Sequence, residues 1–267
     1  MPNADKIHCR MAHIFVVGSA CGIPVPGRGH SSFLLATEDL RILVDAGEPC
    51  SRTLAETKFD LQSLDALFLT HGHSDHTGGL PMLIQAAWLA GRTKRLEIFL
   101  PAELSEPLKQ WLQASYLGPD IVPFEILFVP WESQTSFEFH GLKVHPVPTT
   151  HLATLNRRSV PDRFKAYSLR IEHPEFSMVF SGDLGSPNDL QAQLDGHVDF
   201  LVTEIAHFPP TQLFQFLSTK SVDKVLLTHL PPEWIGNEES LWKSAREALP
   251  GKEVTIASDR MQLEICG

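Results

Sequence analysis

Cysteine is scarce in this sequence. Its 267 residues hold four, Cys9, Cys21, Cys50 and Cys266, widely spaced and without a Cys-x-x-Cys pair. That pattern excludes a dense disulfide framework and makes a reducing cytoplasm the expected compartment. Residues Met1 to Arg10 lack the apolar core of a secretory signal. No apolar run approaches the length of about 20 residues needed to span a bilayer, so membrane insertion is not expected. Positive charge is also in deficit, with 22 Lys+Arg against 32 Asp+Glu and a formal net charge of −10. Such a balance argues against a broad basic surface for duplex nucleic acid or structured RNA, but leaves a small anionic substrate open. The acidic pI says nothing about assembly, a homodimer included.

What is present is an ordinary globular composition, 43% hydrophobic and 20% charged, long enough to bury a sizeable core. The most informative stretch is Thr70-His71-Gly72-His73-Ser74-Asp75-His76-Thr77-Gly78-Gly79. The apolar run Leu64 to Leu69 leads into it as a buried strand. His71 and His73 stand two apart, so an extended backbone points both imidazoles the same way, and Asp75 and His76 follow in a tight turn closed by glycines. One segment could thus feed two adjacent metals. A catalytic zinc needs about three protein ligands, so two metals need more donors than this stretch holds. Further donors follow apolar strands downstream: His151, Asp183 and His229.

At this point the sequence resembles the metallo-β-lactamase-fold hydrolases, whose His-x-His-x-Asp-His motif is matched by His71, His73, Asp75 and His76. The resemblance implies that one metal takes His71, His73 and His151, that the other takes Asp75, His76 and His229, and that Asp183 bridges them. It implies two divalent ions, zinc first, with manganese or iron suited to the same donors. Gly18 to Leu35, with Arg28 and Ser31-Ser32-Phe33-Leu34-Leu35, resembles the opening motif of the ribonuclease Z-like branch. Leu201 to Phe208 resembles the segment of that branch that supplies a glutamate, here Glu204, and His207 lies about where that branch has a further histidine upstream of the last ligand. Two features depart from ribonuclease Z. No long Gly/Pro-rich arm is visible between the first motif and His151, and Leu230-Pro231-Pro232-Glu233-Trp234 replaces the serine and Arg-Tyr pair that usually follow the last ligand.

Element by element, strands are expected at His13–Val17, Ser32–Ala36, Arg41–Val44, Glu97–Leu100, Ala166–Glu172, Phe176–Phe180, Val198–Thr203 and Val222–Thr228, with closing strands at Glu253–Ala257 and Gln262–Ile265. Ser136–Phe139 and Leu142–Val147 read as a hairpin around His140-Gly141. Helices are expected at Leu80–Ala90, Ala102–Tyr116, Asn188–Leu194, Thr211–Ser218 and Glu238–Ala248. Two successive strand-then-helix halves fit an α/β class, a four-layer αββα sandwich of two mixed β-sheets flanked by helices. The expected organisation is a tail over 1–12 and one hydrolase domain over 13–267.

The loop from His151 to Lys165 carries Arg157, Arg158, Arg163 and Lys165 in an otherwise acidic chain. Because it starts at a ligand, its arginines are candidates for binding a phosphate or carboxylate. The expected activity is that of a dinuclear metal-dependent phosphodiesterase acting on a small phosphodiester or nucleotide. A metal-bridging hydroxide would be the nucleophile, Asp75 would orient it, and Glu204 with His207 would assist the leaving group. Carboxyl-ester, lactone or thioester hydrolysis shares the same ligands and fold, and a metal-binding protein without turnover is the third reading. The other histidines, His8, His13, His30, His140, His145, His173 and His197, have no partner pattern and read as structural.

Overall fold

Short runs such as Ile42-Leu43-Val44 are apolar at consecutive positions because both faces of the strand are buried. Ile42 and Val44 point into the space between two sheets, while Leu43 points outward against helices. In the computed structural model, which describes residues 12–131 and 135–265, this alternation repeats throughout. The tail expected over 1–12 falls, except for Ala12, outside the described residues, as do His8, Cys9 and Cys266.

In chain order the strands are β1 (His13–Gly18), β2 (Ser32–Ala36), β3 (Arg41–Val44), β4 (Ala66–Phe68), β5 (Leu96–Leu100), β6 (Ile126–Pro130), β7 (Phe137–Phe139), β8 (Leu142–Pro148), β9 (Tyr167–His173), β10 (Phe176–Phe180), β11 (Val198–Glu204), β12 (Val222–Thr228), β13 (Glu253–Ile256) and β14 (Gln262–Glu264). The helices are α1 (Cys50–Glu56), α2 (Ser74–Thr77), α3 (Leu80–Leu89), α4 (Ser105–Ala114), α5 (Ala153–Arg158), α6 (Pro210–Leu217) and α7 (Glu238–Ala248). One sheet runs β14-β1-β2-β3-β4-β5-β6 and the other β13-β12-β11-β10-β9-β8-β7. From β14 to β3 the first sheet is antiparallel and from β3 to β6 parallel. The second repeats the pattern, antiparallel from β7 to β10 and parallel from β10 to β13.

Between the sheets lie Ile14, Phe33, Phe68, Leu169, Met178 and Phe200, among others. Leu80, Leu83, Ile84 and Ala87 recur on one face of α3 and cover the first sheet. Leu213, Phe214 and Leu217 of α6 and Leu241 and Ala245 of α7 cover the second. The result is the expected αββα sandwich. Each fully buried Leu, Ile or Phe contributes about 1.5–3 kcal/mol against the entropy cost of ordering the chain. No helix among the described residues is long and apolar enough to cross a membrane.

Local differences from the sequence expectation have physical causes. The helix expected over Asn188–Leu194 is only a 3-10 turn at Pro187–Leu190, because the Asp189 carboxylate accepts bonds from Thr150 N and Gly185 N and staples the segment to the end of β8. The helix expected over Ala102–Tyr116 starts as a 3-10 turn at Ala102–Leu104 and ends where Tyr116 turns to φ 60°. The loop after His151 contains α5. At the β7–β8 hairpin, His140 and Gly141 both have positive φ, as a type I′ turn requires. Arg28 donates to Ser19 Oγ and Ala257 O and pairs with Glu238 at 2.9 Å. It therefore ties the Gly18–Arg28 loop to α7.

Candidate metal centre

The ends of the strands meet on one edge of the sandwich, the edge where open α/β sheets place their ligand sites. Asp45 follows β3, His71 and His73 follow β4, His151 follows β8, Asp183 follows β10, and His229 follows β12. Asp75 and His76 lie on the single turn α2, and Gly47 lets that turn approach: a Cβ at Gly47 would sit 2.3 Å from Asp75 O. All seven residues that the sequence singled out as ligands come together here, in two four-donor groups.

The spacing of the donors is informative. Four ligands about 2.0–2.1 Å from one cation in a tetrahedron lie about 3.3–3.4 Å from each other. In the first group His73 Nδ1 lies 3.1 Å from His71 Nε2 and 3.2 Å from His151 Nε2. Asp183 Oδ2 lies 3.5 Å from both His71 Nε2 and His151 Nε2. In the second group His76 Nε2 lies 3.2 Å from Asp183 Oδ1 and 3.6 Å from Asp75 Oδ2. His229 Nε2 is 3.6 Å from Asp183 Oδ2 and 3.7 Å from Asp75 Oδ2. Contacts of 3.5–3.7 Å are too long for hydrogen bonds. His76 Nε2 and Asp183 Oδ1, though 3.2 Å apart, are buried and make no well-aligned hydrogen bond among the described residues. Leaving such atoms unsatisfied is costly, and a divalent cation satisfies them. The residues fit two ions sharing Asp183.

Hydrogen bonds behind the ligands aim them. Buried Asp45, at φ 59°, accepts Thr70 N at 2.8 Å and the Thr70 hydroxyl at 2.9 Å, and its Oδ2 meets His76 Nδ1 at 2.6 Å. The Thr70 hydroxyl also meets His71 Nδ1 at 3.1 Å. With its own proton given to Asp45, that hydroxyl accepts from His71. Both imidazoles thereby carry their proton on Nδ1 and turn an Nε2 lone pair inward. Sequence reading missed Asp45 and Thr70. The available signal was a carboxylate ending one buried strand and a threonine ending its parallel neighbour.

Burial lowers the affinity of four histidines for protons. His71 is held well below the usual imidazole range by burial and by His76, and His73 and His229 are lowered chiefly by burial. Burial brings His151 down to about 4. At His76 burial acts in the same direction, but Asp183 and Asp45 outweigh it and hold the group well above its ordinary value. Burial would raise Asp183, yet the imidazoles of His229, His76 and His71 keep it well below the carboxylate range.

Beside this cluster Glu204 accepts Leu184 N at 2.6 Å and meets His207 Nδ1 at 2.8 Å. His207 Nε2 thus faces the centre, 3.9 Å from Asp183 Oδ2. Burial lowers the His207 proton affinity, but the Glu204 bond outweighs it and the net shift is upward. The arginines are more dispersed. Arg157 lines a cleft of about 370 Å³ with Thr150, Asn156 and Lys165. Arg158 is exposed, and Arg163 lies over the Phe164 ring.

Asp45→Asn keeps the shape, and asparagine tolerates a positive φ, but its amide cannot accept both bonds. Zinc affinity measured by chelator competition is expected to fall about 10–100-fold with the circular dichroism spectrum unchanged, whereas an affinity within twofold of the parent would refute the orienting role. The metal-free protein should also respond to pH. As pH falls from 6.5 towards 4 the unfolded chain takes up protons at His71, His73, His151 and His229 more readily than the folded chain, so stability drops on acidification. His76 and His207, raised in the fold, are protonated in both states below pH 6.5 and lose their contribution only as pH rises. Urea midpoints should therefore fall from pH 6.5 towards 4, and a flat profile over that window would contradict the assignment.

Comparison with known proteins agrees with this geometry. The chain is 34% identical over 140 residues to a ribonuclease Z of Pseudomonas putida, a match covering 52% of this chain and 43% of that protein, so it spans under half of that relative. The metallo-β-lactamase-fold protein YhfI of Bacillus subtilis superposes with a TM-score of 0.76 at 21% identity, over 95% of this chain and 98% of that one. The short form of human tRNase Z superposes with a TM-score of 0.70 at 19% identity, over 95% and 99%. Residues 40–230 match the family described as Beta-lactamase superfamily domain, and the chain belongs to that superfamily.

Proposed function

We propose that residues 13–267 form one dinuclear metal-dependent phosphodiesterase domain acting on a small phosphodiester or nucleotide. His71, His73 and His151 hold one ion, Asp75, His76 and His229 the other, and Asp183 both, with zinc as the ion best suited to imidazole and carboxylate donors. The observation that carries this reading is the pair of four-donor groups sharing Asp183 with His207 alongside. Bound ions of this kind supply an acidified water and neutralise charge on a phosphoryl group.

The chain's own groups do the rest. Asp75 Oδ2 stands between His76 and His229 and orients the attacking water. His207, its Nδ1 fixed by Glu204 and its proton held more tightly than usual, donates from Nε2 to the leaving oxygen. Arg157, Arg158 and Arg163 are free to contact phosphate oxygens, since none faces a carboxylate among the described residues. Similarity to a protein named ribonuclease Z supports phosphodiester chemistry. The small substrate is favoured by the net charge of −10 and by α3, β5, α4 and β6–β8 filling the described residues between Thr77 and His151 without an extended arm.

Metal-loaded protein should hydrolyse bis-p-nitrophenyl phosphate in preference to a lactone or a thioester, and Asp75→Ala should abolish that turnover. Acyl turnover alone would favour the ester and thioester reading, and no activity sensitive to Asp75 would favour a non-catalytic role. His207→Ala is expected to cost about 10²–10⁴ in kcat on an alkyl phosphodiester, whose leaving group needs a proton. On the p-nitrophenyl ester the loss should be small, because p-nitrophenolate departs unprotonated. Equal losses on both would remove His207 from leaving-group protonation.

A further inference from the structure

A second group of donors lies at the other end of the strands. His197 immediately precedes β11, Asp199 is the second residue of β11, and Asp223 the second of β12. Two apart on an extended chain, His197 and Asp199 project from one face. The register pairs Val198 with Val222 and Phe200 with Lys224, so Asp199 sits directly beside Asp223. Like charges directly opposite on neighbouring strands destabilise a sheet. A cation between them would offset that repulsion.

The two carboxylates stand at the same distance from the imidazole, as donors in the metal centre do, and all three ligand atoms lie within 4.8 Å of one another. His197 Nε2 lies 3.4 Å from Asp199 Oδ1 and 3.4 Å from Asp223 Oδ2. Both contacts exceed the usual hydrogen-bond range of about 2.7–3.2 Å and fall inside the 3.1–3.7 Å seen among the donors around Asp183. Two of the donors are also held from behind. His197 Nδ1 meets Ser221 Oγ at 3.1 Å, and Asp199 Oδ2 accepts Ser177 N at 2.7 Å and Ser177 Oγ at 2.8 Å. Bonds to the far atom of a ligand fix its orientation toward a metal.

We infer that His197 Nε2, Asp199 Oδ1 and Asp223 Oδ2 form a peripheral site for a divalent transition-metal ion, zinc or manganese in character. One imidazole with two carboxylates suits such ions, whereas calcium and magnesium favour oxygen-only shells. The side chains are 50%, 30% and 63% exposed, which leaves positions for water. An ion here cross-links β11 and β12, the strands that carry Glu204 and lead to His229 at their far ends. It takes no part in the reaction.

The test is zinc stoichiometry of the full chain by equilibrium dialysis and metal analysis at saturating zinc. His197→Ala and Asp223→Asn should each bind about one ion per chain fewer than the parent, with unchanged circular dichroism and unchanged phosphodiester turnover. A His73→Ala, His151→Ala protein should still bind this ion, so failure of the proposed reaction and failure of this site are separable. Unchanged ion counts in both surface variants would overturn the proposal. Loss of the ion in the His73→Ala, His151→Ala protein would overturn it equally.

Discussion

Everything at the active edge depends on one electrostatic constraint: a buried carboxylate, Asp183, set among imidazoles of which His76 and His207 hold their protons more tightly than usual and the others less. Desolvation alone would neutralise Asp183, yet His229, His76 and His71 hold it ionised. His71, His73, His151 and His229 in turn present lone pairs rather than protons. Such a set is poorly matched to itself and well matched to divalent cations. Binding energy for the metal is then coupled to the folded state, since the unfolded chain cannot assemble the same donors.

The sandwich meets this constraint by repetition. Each sheet passes from antiparallel to parallel pairing in the same order; the ends of β4, β8, β10 and β12 deliver one or two donors each, and the end of β3 delivers Asp45, which orients them. Buried strands fix donor positions more tightly than loops do, which is what coordination distances demand. The arginines stand on α5 and the residues after it, a segment without metal donors.

Much of this was legible in the sequence where the information is local. His71, His73, Asp75 and His76 lie within one turn and a strand end, and the alternating apolar runs gave most strands. Asp45 escaped because its partners Thr70 and His76 are 25 and 31 residues away and only the β3–β4 pairing joins them. The segment 188–194 looked helical because nothing local reveals that Asp189 is engaged by Thr150, 39 residues earlier. Arg28 looked like part of a functional motif, yet its guanidinium is spent on Glu238 and Ala257, more than 200 positions along the chain. His197 read as solitary for the same reason: Asp223 belongs to the next strand.

Anomalous scattering at the zinc edge from crystals of the metal-loaded protein would test the central claim most directly. Two peaks are expected at the active edge, one bonded to His71, His73 and His151 and one to Asp75, His76 and His229, with Asp183 bonded to both. A single peak there, or two peaks that do not share Asp183, would contradict it.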